Sequence, residues 1–259
     1  MKLGVKGRIA VVCASSRGLG RACALELARA GCTVVINGRD SPALEQTAAD
    51  IRTETGGTVI PVIADVSTRE GQDALLAVEP HVDILVTNNG GPPFRDFRAV
   101  DREAMLAGVV NNMVAPIELV QRVIDGMVAR RFGRIVNITS GSVKMPLSGL
   151  DLSSGARAGL TAFMAGVARS VAGSNVTINF LLPGTFDTDR LQSNIVANAK
   201  NRGISADQAK AERIATVPAK RFGTPDEFGA ACAFLCSAQA GYITGQNLLI
   251  DGGAFPGAM

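Results

Sequence analysis

The chain has 259 residues, 47% of them hydrophobic and 19% charged, with 29 glycines and a formal net charge of +3. That length suits one large α/β domain with a sizeable buried core. The small charge excludes the basic face of a nucleic-acid-binding protein, and no uninterrupted apolar run reaches the roughly 18 residues of a membrane span.

The N-terminal stretch MKLGVKGRIAVVCASSRG holds a short apolar run followed by Ser, Arg and Gly. It predicts a strand over 8–14 and a turn. The run is too short for the apolar core of a secretory signal, so a cytoplasmic location is expected. RGLGRACALELARAG (17–31) reads as a helix ending at a glycine. After the strand TVVING (33–38), SPALEQTAADIRTETGG (41–57) reads as a helix opened by Ser, with Pro at the first helical position. Strands follow at TVIPVIAD (58–65) and VDILVTNN (82–89), then a long helical region at about 101–130. GRIVNITS (133–140) is the next strand. SGARAGLTAFMAGVARSVAG (154–173) is a helix rich in small residues, and VTINFLLP (176–183) a strand. The segment 185–222 is polar and helical in pattern and interrupts the rhythm. It is expected to be a lid-like insertion that shapes the substrate side. TPDEFGAACAFLCSA (224–238) begins with a Thr cap, Pro and acids, and NLLIDGG (247–253) closes the series.

Strands that read as continuous apolar runs are buried on both faces, as in parallel sheets. Seven of them with interleaved helices predict an α/β fold. The expectation is one Rossmann-type domain over 1–259, a doubly wound seven-stranded parallel sheet. The cysteines are Cys13, Cys23, Cys32, Cys232 and Cys236, and the only histidine is His81. No CxxC pair occurs, so no metal site is expected and the thiols read as buried in a reducing compartment. His81 reads as a loop residue.

CASSRGLG (13–20) follows the first strand and opens a helix. Ser15, Ser16, Arg17, Gly18, Leu19 and Gly20 are the candidate phosphate loop. Gly18 lets the backbone approach a pyrophosphate, Gly20 lets the helix lie close to the strand, and the helix N-terminus offers free N–H groups. Ala14 stands where such a loop would have its first glycine. The second strand ends INGRD (36–40). NAD-binding proteins carry an acid near its end for the ribose 2′-hydroxyl. Gly38 occupies that position here, followed by Arg39, with Arg17 in the loop. Two arginines with no acid between them fit a 2′-phosphate, so NADP(H) is the expected cofactor.

From these residues the chain resembles the short-chain dehydrogenase/reductases over essentially its whole length, and looks closest to the β-ketoacyl carrier-protein reductase-like members. CASSRGLG matches their TGxxxGxG in two of three glycines. Asp65–Val66 matches their adenine-site pair. Thr87, Asn88, Asn89 and Gly90 match their NNAG region, and Asn112 their helix asparagine. Ser140 matches their catalytic serine. Pro183, Gly184 and Thr188 match the segment that cradles the nicotinamide, and Thr244–Gln246 and Asp251–Gly253 the C-terminal TGQ and DGG. The resemblance implies NADP(H)-dependent reduction of a small carbonyl compound by hydride transfer, and a homotetramer whose interface uses 101–130 and 154–173, with Gly155, Gly159 and Gly166 permitting close approach. It also implies that Ser140, Asn112 and positions 153 and 157 line the reaction centre.

At 153 and 157 that family carries Tyr and Lys. This chain carries Ser153 and Arg157. A phenol with a pKa of about 10 can be tuned toward neutrality and donate a proton. A serine hydroxyl is a much weaker acid and is several ångströms shorter. Arg157 still offers hydrogen bonds to the ribose hydroxyls but stays protonated, so it shuttles no proton. Water in the space left by the phenol, held by Ser140, Ser153 and Arg157, is one altered route. Asp151 and Lys144 are neighbouring ionisable groups, although Asp151 also reads as a helix cap, as do Ser153 and Ser154. The only tyrosine, Tyr242, reads as structural. A catalytically impaired nucleotide-binding protein or partner subunit is the alternative. The halohydrin dehalogenases carry Arg at the lysine position but keep the tyrosine and lose the nucleotide loop, the reverse of this chain. Arg130, Arg131 and Arg134 form a small basic cluster, read either as a solvated face or as a surface that would meet an acidic carrier protein, and Asp187, Asp189 and Arg190 lie where they would touch cofactor or substrate.

Overall fold

The computed structural model describes residues 2–91 and 94–257. Seven strands form one parallel sheet: β1 (Ile9–Val12), β2 (Thr33–Gly38), β3 (Val59–Ile63), β4 (Ile84–Thr87), β5 (Gly133–Ile138), β6 (Val176–Pro183) and β7 (Asn247–Ile250). Their order is β3-β2-β1-β4-β5-β6-β7, with every neighbouring pair parallel. The helices are α1 (Gly18–Arg29), α2 (Ser41–Thr55), α3 (Arg69–Ala77), α4 (Arg102–Val109), α5 (Ala115–Ala129), α6 (Asp151–Val171), α7 (Asp189–Arg202), α8 (Ala206–Ala215) and α9 (Pro225–Leu235).

The two-residue period of each strand divides its side chains between two cores. Val12, Ile36, Val86 and Val136 join one cluster with Leu27, Leu44 and Phe228 from α1, α2 and α9. Val11, Val35, Leu85 and Ile135 join the other with Leu75, Leu119, Met127 and Leu160 from α3, α5 and α6. A Cβ on Gly229 would stand 2.6 Å from the carbonyl oxygen of Ala22, so glycine there lets α9 lie directly on α1.

Two helix starts differ from the sequence reading. Asp40, whose side chain accepts from the Ala43 N–H, caps α2, with Pro42 one place later than expected. α6 begins at Asp151, three residues early, with no side-chain cap at Leu150. Ser153 and Ser154 therefore lie inside the first turn and cap nothing. Ser154 Oγ donates to the Leu150 carbonyl at 2.9 Å. α4 and α5 are joined by a π turn, Val110–Val114. Together Arg102–Ala129 are long and apolar enough, by length and composition, to cross a membrane. Here Leu119, Val120, Val123 and Met127 of this helix lie against the sheet.

Of the expected basic cluster, Arg130 and Arg131 are exposed but Arg134 is not. Arg134 is 1% exposed and donates to the carbonyls of Gly133, Asn175 and Ser237. Arg130 turns to Val82 O and Asp83. Burial is affordable for Arg134 because its donors are met by fixed carbonyls, although desolvation lowers its pKa. In the segment 185–222, α7 and α8 enclose a small core of their own from Ile195, Ala199, Ala209 and Phe222.

The Thr cap expected at α9 is present, and Glu227 completes it as a capping box with Thr224. Arg221, and then the Thr224 N–H, hold the Glu227 carboxyl down at about 2. A carboxyl with a depressed pKa stabilises the fold above its ordinary value near 4.5, and that support is lost as pH falls toward 2. Glu227→Gln is expected to lower Tm at pH 7, and the gap to wild type should close between pH 4.5 and pH 2. Thermal melts across that range check it. A gap independent of pH would show that the charge of Glu227 is not what holds the cap.

Candidate active site

The crevice for a ligand opens where strand order reverses, at the C-terminal ends of β1 and β4. The loop from β1 to α1 is pinned there. Ala14 donates its N–H to Asn37 Oδ1 at 3.3 Å and accepts from Asn88 Nδ2 at 3.1 Å. Its φ is 45°, in the left-handed region, so the residue at the missing glycine adopts the glycine conformation. A Cβ on Gly20 would lie 2.4 Å from the Ala14 oxygen, the close helix–strand approach expected of it. Arg17 at the α1 N-cap makes no side-chain cap bond, which leaves the first N–H groups of the helix free. Asn37 is a site residue the sequence reading missed. Buried in the run TVVING, it also donates to Val62 O and Ala64 O, and so ties the loop to β3. A lone amide in an apolar strand is the signal that marks it.

At the far end of the loop, a Cβ on Gly38 would stand 3.1 Å from Ser16 Cβ, so an acid at 38 would crowd Ser16. Arg17 and Arg39 are not free of acids as the sequence suggested. Arg17 pairs with Asp40 at 2.5 Å and Arg39 with Asp65 at 3.4 Å. Both arginines are exposed, and exposed pairs contribute only about 0–1 kcal/mol, so a phosphate can displace either carboxylate. Asp65 also accepts from the Ser67 backbone and hydroxyl, which lower its pKa together with Arg39. Val66 is buried beside it and Leu19 packs on the core.

The opposite wall comes from β4, β5 and β6. Asn89 Nδ2 donates to Asn111 O, and Gly90 is open where a Cβ would stand. Gly184 has Asp251 Cα only 2.6 Å from its Cβ position, which locks the turn after Pro183. Thr188 caps α7 by accepting from the Leu191 N–H, and its methyl faces Gly18 at 3.9 Å from that residue's Cβ position. The two sides of the crevice thus meet at the β1–α1 loop.

Ser140 Oγ accepts from the Ser142 N–H at 3.1 Å and caps the 3-10 turn Gly141–Val143, while its own hydroxyl proton is uncommitted among the described residues. Asn112 lies in the π turn, 4% exposed. Its Nδ2 donates to Gly108 O, and its Oδ1 has no partner among the described residues. A cavity of about 310 Å³ runs beside it, lined by Gly90, Gly91, Arg95, Asn111, Asn112, Asp151 and Ser153 among others. Asp151 reaches it from the first turn of α6, with Oδ2 accepting from the Gly149 N–H. Lys144 instead lies over the Phe255 ring, and Tyr242 is fully exposed, with no packing role. His81 is exposed, the five cysteines are buried, and no group of three metal-ligating side chains gathers among the described residues.

The family model described as Enoyl-(Acyl carrier protein) reductase matches residues 13–254. The chain belongs to this family of short-chain dehydrogenase/reductases. It is 32% identical over 252 residues to the NADPH-dependent reductase BacG of Bacillus subtilis, covering 95% of this chain and 97% of the relative. It is 30% identical to the 3-oxoacyl-[acyl-carrier-protein] reductase FabG of Aquifex aeolicus, covering 98% and 100%. L-sorbose reductase from Gluconobacter frateurii, solved with NADPH and L-sorbose, superposes with a TM-score of 0.94 at 28% identity, covering 99% of this chain and 100% of that one.

Within this short-chain dehydrogenase/reductase, Arg157 does not have the freedom that ribose binding was expected to give it. It is 8% exposed. Nη1 donates to the carbonyls of Ile138 at 2.9 Å and Thr139 at 2.8 Å, Nε to Ser153 Oγ at 3.3 Å, and Nη2 to Asn89 O at 3.5 Å. Burial first, and Arg190 second, draw its pKa down to about 10, which still leaves it charged at neutral pH. It is a strut between α6, the end of β5 and the Asn89 loop.

Arg157→Ala would orphan two buried carbonyls and leave a cavity, for an expected loss of about 2–4 kcal/mol in urea unfolding. An unchanged midpoint would mean the carbonyls find other partners. Ala14→Gly removes the strain of a left-handed alanine, about 1–2 kcal/mol, against a somewhat smaller gain in unfolded-chain freedom. A rise in stability of up to about 1 kcal/mol is expected from the same measurement, and a fall would show that Ala14 is unstrained.

Proposed function

We propose that the protein is an NADPH-dependent reductase of a small carbonyl compound with a changed proton route. The observation that carries this is the intact crevice, with the uncapped α1 N-terminus and Gly18 facing Thr188 across it. These groups fit a dinucleotide pyrophosphate: free N–H groups, and an open backbone at Gly18 and Gly90. Arg17 and Arg39 take the 2′-phosphate in exchange for Asp40 and Asp65. A relative named as NADPH-dependent and a neighbour solved in complex with NADPH support the same choice. NADPH, when bound, supplies the hydride.

Ser140 holds the carbonyl oxygen with its free hydroxyl proton. Proton supply passes to water in the cavity, where Asn112 Oδ1 and Ser153 Oγ are acceptors that fix it and Asp151 stands at the edge. Arg157 adds a fixed positive charge behind Ser153, which favours the developing alkoxide. The segment 185–222 closes the substrate side. The assembly is a homotetramer in the cytoplasm, supported by free buried cysteines and by the exposed Met105, Leu106 and Phe163 on the α4–α6 face. Gly155 and Gly166 are open for close approach, whereas Gly159 is not, because its Cβ position meets Met113 Sδ at 2.9 Å within the same chain.

NADPH titration by nicotinamide fluorescence, with NADH as the control, tests the cofactor. The chain has no Trp, so protein background is small. Tighter binding of NADPH is expected. Turnover is read across a panel of carbonyl compounds, and Ser140→Ala should lower kcat by about 10²-fold with NADPH affinity unchanged. NADPH binding without any turnover would identify a binding protein or partner subunit, and no binding of either nucleotide would remove the reductase reading.

A further inference from the structure

Two cavities meet at one shared wall. The inner one is the 310 Å³ cavity that Asn112 and Ser153 line, and the outer one, of about 480 Å³, is lined by Phe94, Phe97 and Arg98 among others. Arg95, Gly149 and Asp151 line both. The wall is built around Gly149. Its carbonyl accepts from the Arg95 N–H at 3.0 Å, and its own N–H donates to Asp151 Oδ2 at 3.1 Å. Its φ is 80°, and a Cβ there would stand 3.0 Å from Phe94 Cδ1, so glycine lets the loop after β4 lie on the loop before α6. The backbone of Arg95 and the carboxylate of Asp151 are therefore both tied to one residue.

The charged side chains that line the two cavities are Arg95, Asp96, Arg98 and Asp151. Arg98 pairs with Asp96. Among the described residues Arg95 and Asp151 form no ion pair, with each other or with any other group. They belong to the loop after β4 and to α6, whereas the groups that fit the cofactor's phosphates, Arg17, Gly18 and Arg39, lie in the β1–α1 loop, at the start of α1 and at the end of β2.

A ligand with a single charge gains little at such a wall. A carboxylate drawn to Arg95 is opposed by Asp151, and an ammonium drawn to Asp151 is opposed by Arg95. A group that carries both charges a few ångströms apart meets each residue with its opposite. An α-amino carboxylate is such a group. Inward of the wall, Val100, Ala104, Leu150 and Leu152 line the cavity with hydrocarbon, which suits a short carbon chain running toward Ser153.

The geometry points to a substrate with an α-amino carboxylate head: Arg95 takes the carboxylate, Asp151 takes the ammonium, and the carbonyl to be reduced lies further in. This names the substrate class of the proposed reductase and rests on that reading.

The head is tested without turnover, by calorimetric titration with L-norvaline, pentanoate and butylamine on wild type, Arg95→Gln, Arg95→Lys and Asp151→Asn. Asparagine still accepts from the Gly149 N–H, so Asp151→Asn removes the charge and keeps the turn. Arg95 is exposed and holds Gly149 through its backbone, so its variants are expected to fold. Norvaline is expected to bind about fivefold or more tightly than either singly charged probe. Arg95→Gln and Asp151→Asn should each weaken norvaline by about fivefold or more, and Arg95→Lys should restore part of the loss. Each removal should also strengthen the probe that the lost charge opposed, butylamine in Arg95→Gln and pentanoate in Asp151→Asn, a crossed pattern that a merely structural role would not produce. No norvaline binding, or equal binding of the three probes, would overturn the proposal. NADPH oxidation with γ-oxonorvaline, levulinate and aminobutanone then reads the same preference in kcat/KM. Turnover that prefers levulinate or aminobutanone would overturn the proposal and leave the reductase reading intact. Norvaline binding with the crossed pattern but without NADPH binding would remove the reductase reading and leave the head site standing.

Discussion

At the C-terminal ends of β1 and β4 the crossovers turn to opposite faces of the sheet, and the loops that leave there must part. Every part of the site depends on that gap. Asn88 spans it, donating to the Ala14 carbonyl, and Asn37 holds the Ala14 N–H from the other side. A peptide gripped at both ends can be kept in a left-handed conformation that alanine by itself avoids. The loop therefore retains its shape without its first glycine, and the α1 N-terminus stays aimed into the crevice.

The second constraint is the buried charge of Arg157. Removing a guanidinium from water is costly unless fixed dipoles replace the solvent. The carbonyls of Ile138 and Thr139, at the end of β5, do so. That position is set by the sheet itself, so the charge is locked into the scaffold beside Ser153. Asn112 stands in the π turn with Oδ1 unpartnered among the described residues, next to the cavity. In the proposed site, the place that a phenol takes in the family pattern is a polar wall with the Arg157 cation behind it, which suits the proposed role of stabilising negative charge.

Much of the fold was legible in the chain. Uninterrupted Val and Ile runs such as TVVING and GRIVNI suit a sheet covered on both faces, and all seven predicted strands join one sheet, although the edge strand β7 is exposed or half-buried along its length. The Thr224–Glu227 cap was readable because its spacing is local. The tight approach of the β1–α1 loop to its helix was readable because Gly20 is constrained by Ala14 and Ser15, a few residues away. The start of α6 was misplaced because Leu150, at its N-cap, has no capping side chain, and Asp151, which read as a cap, is instead the first helical residue.

The sequence by itself determined the strand set, the glycine loop, the absence of an acid at Gly38 and the exchange of Tyr and Lys for Ser153 and Arg157. These are properties of residue type at short range. Only the tertiary structure decided what those residues touch. It placed Asp40 and Asp65 against Arg17 and Arg39 and sank Arg134 out of the supposed basic cluster. It also tied Arg95 and Asp151 to Gly149 at a wall shared by two cavities. Such encounters join residues tens of positions apart, and their energies depend on burial and on which donors are already spent, quantities a linear chain does not contain.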